Sequence, residues 1–419
     1  MITMRRLAGL IVLLAAGCGD SASPTIPQGI QETREGRWEQ DLGVLARQLE
    51  QRHSDLFFQL PREAFDAEAA RLRAAIPSIS DEAVVVGMMR LVAMVGDAHT
   101  ALDGLAYSRF RRLPLQFEWF EDGLFVVAAA EDSADLLGAR LVRLGSAPVP
   151  ALIAALAEVI PHENESWLRY RLPSFLVVPE LLRELSLVPD ASMVDVELVG
   201  RDGAEIHRSV PAVSRGNLAL IALDTETLPL FRQSEDNYWS AFVEDAGTLY
   251  IHYRRASDMS GESVAAFSER MLGFIDQNPV RAIVVDLRDN VGGNSSLLAP
   301  FIQGLERRPV WSGGDGLYAI IGRGTFSSGL LNALSLSQRT RAVLVGEPSG
   351  GKPNHFGEVR SFLLPNASLS VSHSTRFFRT LQASDPPSLE PEVHVTTRSS
   401  DYFVGRDPVM ETVLDLIGR

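Results

Sequence analysis

From Gly247 to Glu347 strand-like and helix-like segments alternate without a break. "GTLYIHYRR" reads as a strand and "ESVAAFSERMLGFIDQ" as a helix. "RAIVVDLRDN", "LYAIIGRGT" and "RAVLVGE" are further apolar strands, and "SLLAPFIQGL" and "SSGLLNALSLSQ" are the helices between them. Strands joined through helices cannot pair as hairpins, so this stretch predicts a largely parallel sheet covered by helices, an α/β architecture. Chemistry in such sheets collects at the carboxyl ends of the strands.

The segments upstream have other periods. "RWEQDLGVLARQLEQRH", "PREAFDAEAARLRAAI" and "SDEAVVVGMMRLVAMV" place apolar residues at helical spacing, the last behind a Ser80–Asp81 cap. It runs into "GDAHTALDG", where a glycine ends the helix and His99 follows. Over 111–213, "LPLQFEWFEDGLFVVAAA" and "MVDVELVGRDGAEIHRSV" are hairpins turning at Asp122–Gly123 and Asp202–Gly203. Between them "LLGARLVRLGSAPVPALIAALAEVI" reads as strand, Gly-rich turn and helix. The expected organisation is a helical region over 37–109, a small β-rich module with one helix over 110–214, and the α/β domain over 215–419.

The first residues form a leader. Arg5 and Arg6 precede an apolar run, Leu7 to Ala16, too short for a bilayer span of about 20 residues. "LAAGC" follows, and Cys18 is the only cysteine. The expectation is a lipoprotein signal over 1–18, lipidation of Cys18 and a flexible tether over 19–36. The mature chain is then exported, has no disulfide and meets a membrane only through its lipid anchor. A formal net charge of −14 argues against nucleic acid as a partner. Nothing has the Cys/His spacing of a zinc site, so neither metal nor cofactor is expected.

Three strand ends carry candidate chemistry. In "VVDLRDNVGGNS" a loop passes through Gly292 and Gly293 before a helix start, which suits an anion site, an oxyanion hole or a tight turn. In "IIGRGTFSSGLLNAL" Ser327 opens a helix, as a cap or as a nucleophile beside the helix N-terminus. There is no G-x-S-x-G elbow. "VGEPSGGK" holds Lys352, the sole lysine among 39 basic residues, 25 positions after Ser327. Arginine can replace lysine in ion pairs but cannot give up its proton, so a lysine kept here suggests a base. Ser–Lys is a known nucleophile–base pairing.

"VDLRDNVGG", "GRGTFSSG" and "VGEPSGGK", in that order, resemble the blocks of the S41 serine peptidases, the carboxy-terminal processing peptidases and tricorn-core relatives. "GDAHTAL" is similar to a further block, and "LLGARLVRLGSAPV" to a diverged PDZ core. The resemblance implies a ClpP/crotonase-like catalytic domain with a PDZ-like domain before it, and hydrolysis of protein or peptide substrates. Carried over, Ser327 matches the nucleophile, the N–H groups of Gly293 and Ser328 the oxyanion hole, and Lys352 the base of the processing members. His99 matches the base of the tricorn-like members. Leu330 and Phe356 replace the glutamate and glutamine that accompany the Ser–Lys pair.

The base stays open between Lys352 and His99. A histidine near 6.5 needs little tuning, whereas a lysine near 10.4 must fall by ~3 units, roughly 4 kcal/mol. The scarcity of lysine puts Lys352 first. Glu347 and Glu358 are potential ion-pair partners that would spoil it. His355 is expected to line the cleft, and His53 and the other histidines to have no role. The competing function is a non-catalytic protein binding peptides or apolar ligands on the same fold.

Overall fold

The computed structural model describes residues 4–7, 33–223, 228–312 and 316–418. The apolar core of the expected leader, Cys18 and the tether up to residue 32 lie outside the described residues. Of the leader only Met4–Leu7 is described, as strand β1.

Three helices come first: α1 (Arg34–Arg52), α2 (Arg62–Ala75) and α3 (Asp81–Ala93). The Thr33 and Ser80 hydroxyls accept from Gly36 N and Ala83 N, satisfying donors that a helix start leaves open. Leu42, Leu45 and Leu49 recur on one face of α1 and are fully buried, in one core with Val84, Val85, Met88 and Leu91 of α3. Past α3 the chain turns at Gly96 (φ +73°), presents Asp97 and His99, and enters β2 (Ala101–Leu102).

The first sheet begins with the hairpin β3 (Leu115–Phe120) and β4 (Gly123–Ala129). β5 (Arg140–Leu144), β6 (Ala147–Pro148), β7 (Met193–Val199), β8 (Glu205–Pro211) and β9 (Leu220–Leu223) complete it. The strand order is β1-β9-β4-β5-β7-β8, with β3 paired to β4 and β6 to β5. Instead of one helix this region carries three: α4 (Val149–Ala157), α5 (Glu165–Leu176) and α6 (Pro179–Glu184). Pro173 and Pro179 punctuate the pattern, but Asn164 caps α5 by accepting from Trp167 N at 2.8 Å, and Pro179 occupies a first-turn position that lacks a helical partner anyway.

The α/β alternation appears as expected. β10 (Tyr238–Val243) lies antiparallel to β11 (Thr248–Tyr253). β12 (Ala282–Asp286), β13 (Leu317–Ile321), β14 (Val343–Gly346) and β17 (Val393–His394) continue in parallel. β11 to β13 are buried throughout, so they read as apolar runs rather than alternating ones. α7 (Val264–Gln277), α8 (Ala299–Glu306), α9 (Pro309–Ser312) and α10 (Ser328–Thr340) cover one face through Phe267, Met271, Phe301 and Leu336. After the short α11 (Ser399–Tyr402), α12 (Pro408–Ile417) covers the other face with Val409, Met410 and Val413.

Between β14 and β17 a hairpin, β15 (His355–Leu363) and β16 (Ser370–Phe378), folds away to make a third sheet with β2. Val371 pairs with Leu102 and Ser372 with Ala101. This pairing carries the end of α3, and His99 with it, to the edge of the α/β sheet.

Candidate active site

Ser327 stands between β13 and α10 with φ +50° and ψ −121°, a left-handed backbone that a non-glycine residue adopts only under constraint. Its side chain makes no capping bond to α10, although it occupies the cap position. The surrounding backbone imposes this shape. Thr325 Oγ1 donates to Leu287 O and accepts from Gly322 N, while Phe326 N donates to Asn290 O. The turn thus reproduces the strained geometry of a nucleophile elbow without its sequence pattern.

The glycine loop lies against the serine. A Cβ on Gly292 (φ +123°) would sit 2.8 Å from Ser327 Cβ and 3.2 Å from its Oγ. A Cβ on Gly293 (φ +132°) would meet Ala256 O at 2.1 Å. Both positions therefore require glycine for space as well as for torsion. Asn290, fully buried, spans the loop: its Nδ2 donates to Tyr253 O at 2.7 Å and its Oδ1 accepts from Gly292 N at 3.0 Å. Ser328 Oγ donates to Gly293 O at 2.6 Å, which ties the two expected oxyanion-hole residues together.

His99 is buried, and neither ring nitrogen has a hydrogen-bond partner. It stacks on Phe326, the neighbour of Ser327, at 4.3 Å between ring centres. Phe326 stacks in turn on Trp167 at 3.9 Å, Trp167 on Tyr170 at 5.3 Å, and His355 lies 5.5 Å from His99 on its other side. Burial, with His355 in support and Asp97 opposing, lowers His99 to about 4, so it is neutral and able to accept a proton at ordinary pH.

Beneath it lies Asp97, fully buried. Its Oδ1 accepts from His99 N at 2.9 Å and stands 3.8 Å from His99 Nδ1. Its Oδ2 accepts from Thr100 Oγ1 and Ser374 Oγ, each at 2.6 Å, and from His53 Nε2 at 3.0 Å. His53 Nδ1 accepts from Asp55 N, so the proton of neutral His53 is on Nε2, facing Asp97. Burial alone would raise the Asp97 carboxyl. The His53 bond, the two hydroxyls and, once it is protonated, the His99 cation outweigh it and keep the carboxyl below its usual range. His53, expected to have no role, is thus the support of this carboxylate.

Lys352 reaches the same neighbourhood. Gly351 N donates to Thr325 O at 3.0 Å, and a Cβ on Gly351 would lie 3.3 Å from Phe326 Cα. Its Nζ, however, donates to Asp385 Oδ2 at 2.8 Å, in a pair whose side chains are 27% and 59% exposed. The expected partners are engaged elsewhere: Glu347 with Arg323 and Glu358 with Arg376. The bond from Lys352, outweighing burial, holds Asp385 below the usual carboxylate range. Glu163, beside Asn164, has a buried Oε2 without a partner. Burial and then Asp97, with Lys352 opposing, push its carboxyl well above the usual range.

Asp97, His53, Asn290 and Glu163 escaped the sequence reading. Only Asp97 left a signal, as the acid of "GDAHT" two residues before His99. Among the described residues no group of three or more His, Cys, Asp or Glu is arranged to hold a metal ion, and no helix is long and apolar enough to cross a membrane.

No family model and no curated protein sequence matches the chain. Solved structures do match its fold. The structure of mature CPAF complexed with lactacystin superposes with a TM-score of 0.62 at 14% identity, over 91% of this chain and 98% of that one. A second structure of mature CPAF gives 0.62 at 13% identity, over 91% and 96%. The fold is that of CPAF.

Proposed function

We propose that this chain is a serine peptidase that cleaves protein or peptide substrates through an acyl-enzyme on Ser327. The observation that carries the reading is the strained Ser327, whose side chain does not cap its helix and whose Oγ faces the Gly292 turn. A binding protein has no use for a serine held at this cost.

In the proposed reaction His99 takes the Ser327 hydroxyl proton as Oγ attacks the substrate carbonyl carbon. The carbonyl π electrons move to oxygen, and the N–H groups of Gly293 and Ser328 stabilise the oxyanion. The intermediate collapses as His99 returns the proton to the leaving amine. Water, activated by the same imidazole, then releases the acyl group. Asp97 orients His99 and favours its cationic form through charge, as a third member that is not protonated itself.

The Lys352–Asp385 pair supports His99 over Lys352 as the base. An ion-paired ammonium has no lone pair with which to accept a proton, whereas both His99 nitrogens are unengaged. Lys352 then serves to hold Asp385 and the 380–389 segment against the turn that precedes it. The leader and Cys18 suit an exported chain on a lipid anchor.

The test is kcat/KM on an unstructured peptide for the native chain and for Ser327→Ala. Turnover lost by at least about a thousandfold in the variant supports the reading. Equal turnover in both, or none in either, refutes it.

A further inference from the structure

His99, Ser327 and Gly292 each have their immediate chain neighbour in one small apolar cluster. Ala98 precedes His99, Phe326 precedes Ser327 and Val291 precedes Gly292. These three meet Trp167 and Tyr170 in a cluster of their own, apart from the larger cores of the molecule. Trp167 is the largest member and is 3% exposed. It comes from α5, in the region between the two hairpins, and belongs to none of the segments that carry the proposed chemistry.

The helix is built to hold this ring. Leu168, Leu172 and Phe175 of α5 join the core shared with α1 and α3, whereas Trp167 and Tyr170 lie outside it. Asn164 fixes the helix start from both ends of its amide. Its Oδ1 accepts from Trp167 N at 2.8 Å, and its Nδ2 donates to Pro387 O at 2.7 Å and Gly350 O at 3.1 Å. A Cβ on Gly350 would sit 2.8 Å from Trp167 Cε3 and 2.2 Å from Arg323 O, so the indole lies directly against this backbone. Phe326 then stacks on Trp167 at 3.9 Å with 12° between planes, and His99 on Phe326 at 4.3 Å with 26°. Two rings at these separations cannot share one face of Phe326, so it is clamped between them. His355 closes the other side of His99 at 5.5 Å and 15°. No hydrogen bond fixes the imidazole plane, because Asp97 Oδ1 is 3.8 Å from Nδ1 and neither ring nitrogen has a partner. Stacking sets that plane instead.

We infer that Trp167 is a positioning residue for the reaction: through Phe326 it sets the plane of the His99 ring, and through the same cluster it keeps the Ser327 turn and the Gly292 loop aligned with that ring. This rests on the peptidase reading for any effect on turnover, though not for the packing itself. The role needs a flat aromatic side chain. An aliphatic residue fills much of the volume but gives Phe326 no plane to lie on.

The experiment compares the native chain with Trp167→Phe, Trp167→Leu and Leu172→Ala on one unstructured peptide. Leu172 is fully buried on the other face of α5, so its variant measures what loss of packing alone does. Trp167→Leu is expected to lower kcat at least about tenfold with KM within about threefold, since a displaced base spoils the reaction more than binding. Trp167→Phe should keep kcat within about threefold, and Leu172→Ala should lower the urea midpoint without a comparable loss of kcat. Should Trp167→Leu fail to fold, Trp167→Met carries the same expectation. A native kcat in the aliphatic variant, an equal loss in Trp167→Phe, or an equal loss in Leu172→Ala overturns the assignment. A second readout needs no turnover: the Cε1–H resonance of His99 in protein with isotope-labelled histidine, assigned by its absence from His99→Gln. The flanking rings hold it upfield, and it should move downfield in the aliphatic variant but not in Trp167→Phe. An unmoved resonance overturns the positioning role. A moved resonance in a chain whose native form cleaves no peptide would refute the peptidase reading and leave the hold of Trp167 on His99 standing.

Discussion

Lys352 Nζ and Asp385 Oδ2 lie 2.8 Å apart, joining the turn after β14 to the segment that returns from the β15–β16 hairpin. Asn354 reinforces the junction, donating to Leu381 O and Ser384 O and accepting from Leu381 N. In the proposed reading the sole lysine is a clasp rather than the base. Arginine can make the same bond, so Lys352→Arg is expected to keep kcat/KM within about threefold of the native value. Asp385→Ala, which leaves the lysine without its partner, should cost more. Steady-state kinetics on one peptide substrate decide this, and loss of all turnover in Lys352→Arg would return the base role to lysine.

Asp97 collects hydrogen bonds from His53, Thr100, Ser374 and the His99 backbone in full burial. Asp97→Ala would leave those donors without an acceptor and is expected to destabilise the fold by about 3 kcal/mol. Asp97→Asn keeps the shape but turns an NH2 toward at least one of these donors, and should lower kcat more than it raises KM, because the charge that supports the His99 cation is also lost. Urea denaturation and kinetics of the two variants check both parts. An unaltered midpoint for Asp97→Ala contradicts the network.

Gly292 has no room for a side chain next to Ser327 Cβ. Gly292→Ala should depress kcat by at least about a hundredfold, since both the loop and its N–H direction must shift. A native kcat in this variant would show that the loop does not serve the reaction.

The depressed His99 sets the pH behaviour. Its folded value of about 4 lies below the ordinary 6.5, so the unfolded chain binds the extra proton first. The contribution, about 3 kcal/mol, is fully present above pH 6.5 and is lost as pH falls from 6.5 toward 4. Urea midpoints at pH 7.5 and 4.5 should therefore differ less in His99→Gln than in the native chain. The acid limb of kcat/KM should lie well below 6.5; a limb at 6.5 or above contradicts this environment.

Much of this was legible in the chain itself. The parallel core from β11 to β14 follows from buried apolar strands separated by amphipathic helices, a local pattern. Ser327 and the Gly292–Gly293 loop stood out because strand ends and glycine pairs are local too. Asp97 showed only as the acid of "GDAHT"; its role was not legible, because it depends on His53, 44 residues earlier, and Ser374, 277 residues later. The role of Lys352 turned on the same limit. Its scarcity suggested a base, while its partner Asp385, 33 residues on, became visible only once β15 and β16 folded back.

The central claim is that Ser327 is a nucleophile whose proton goes to His99. The most direct measurement is the rate at which a fluorophosphonate probe attaches to Ser327, with the site read by mass spectrometry. The account predicts labelling of the native chain at Ser327, a rate within about threefold in Lys352→Arg, and a rate at least about a hundredfold lower in His99→Ala. No label on Ser327, or normal labelling of His99→Ala with none of Lys352→Arg, would contradict it.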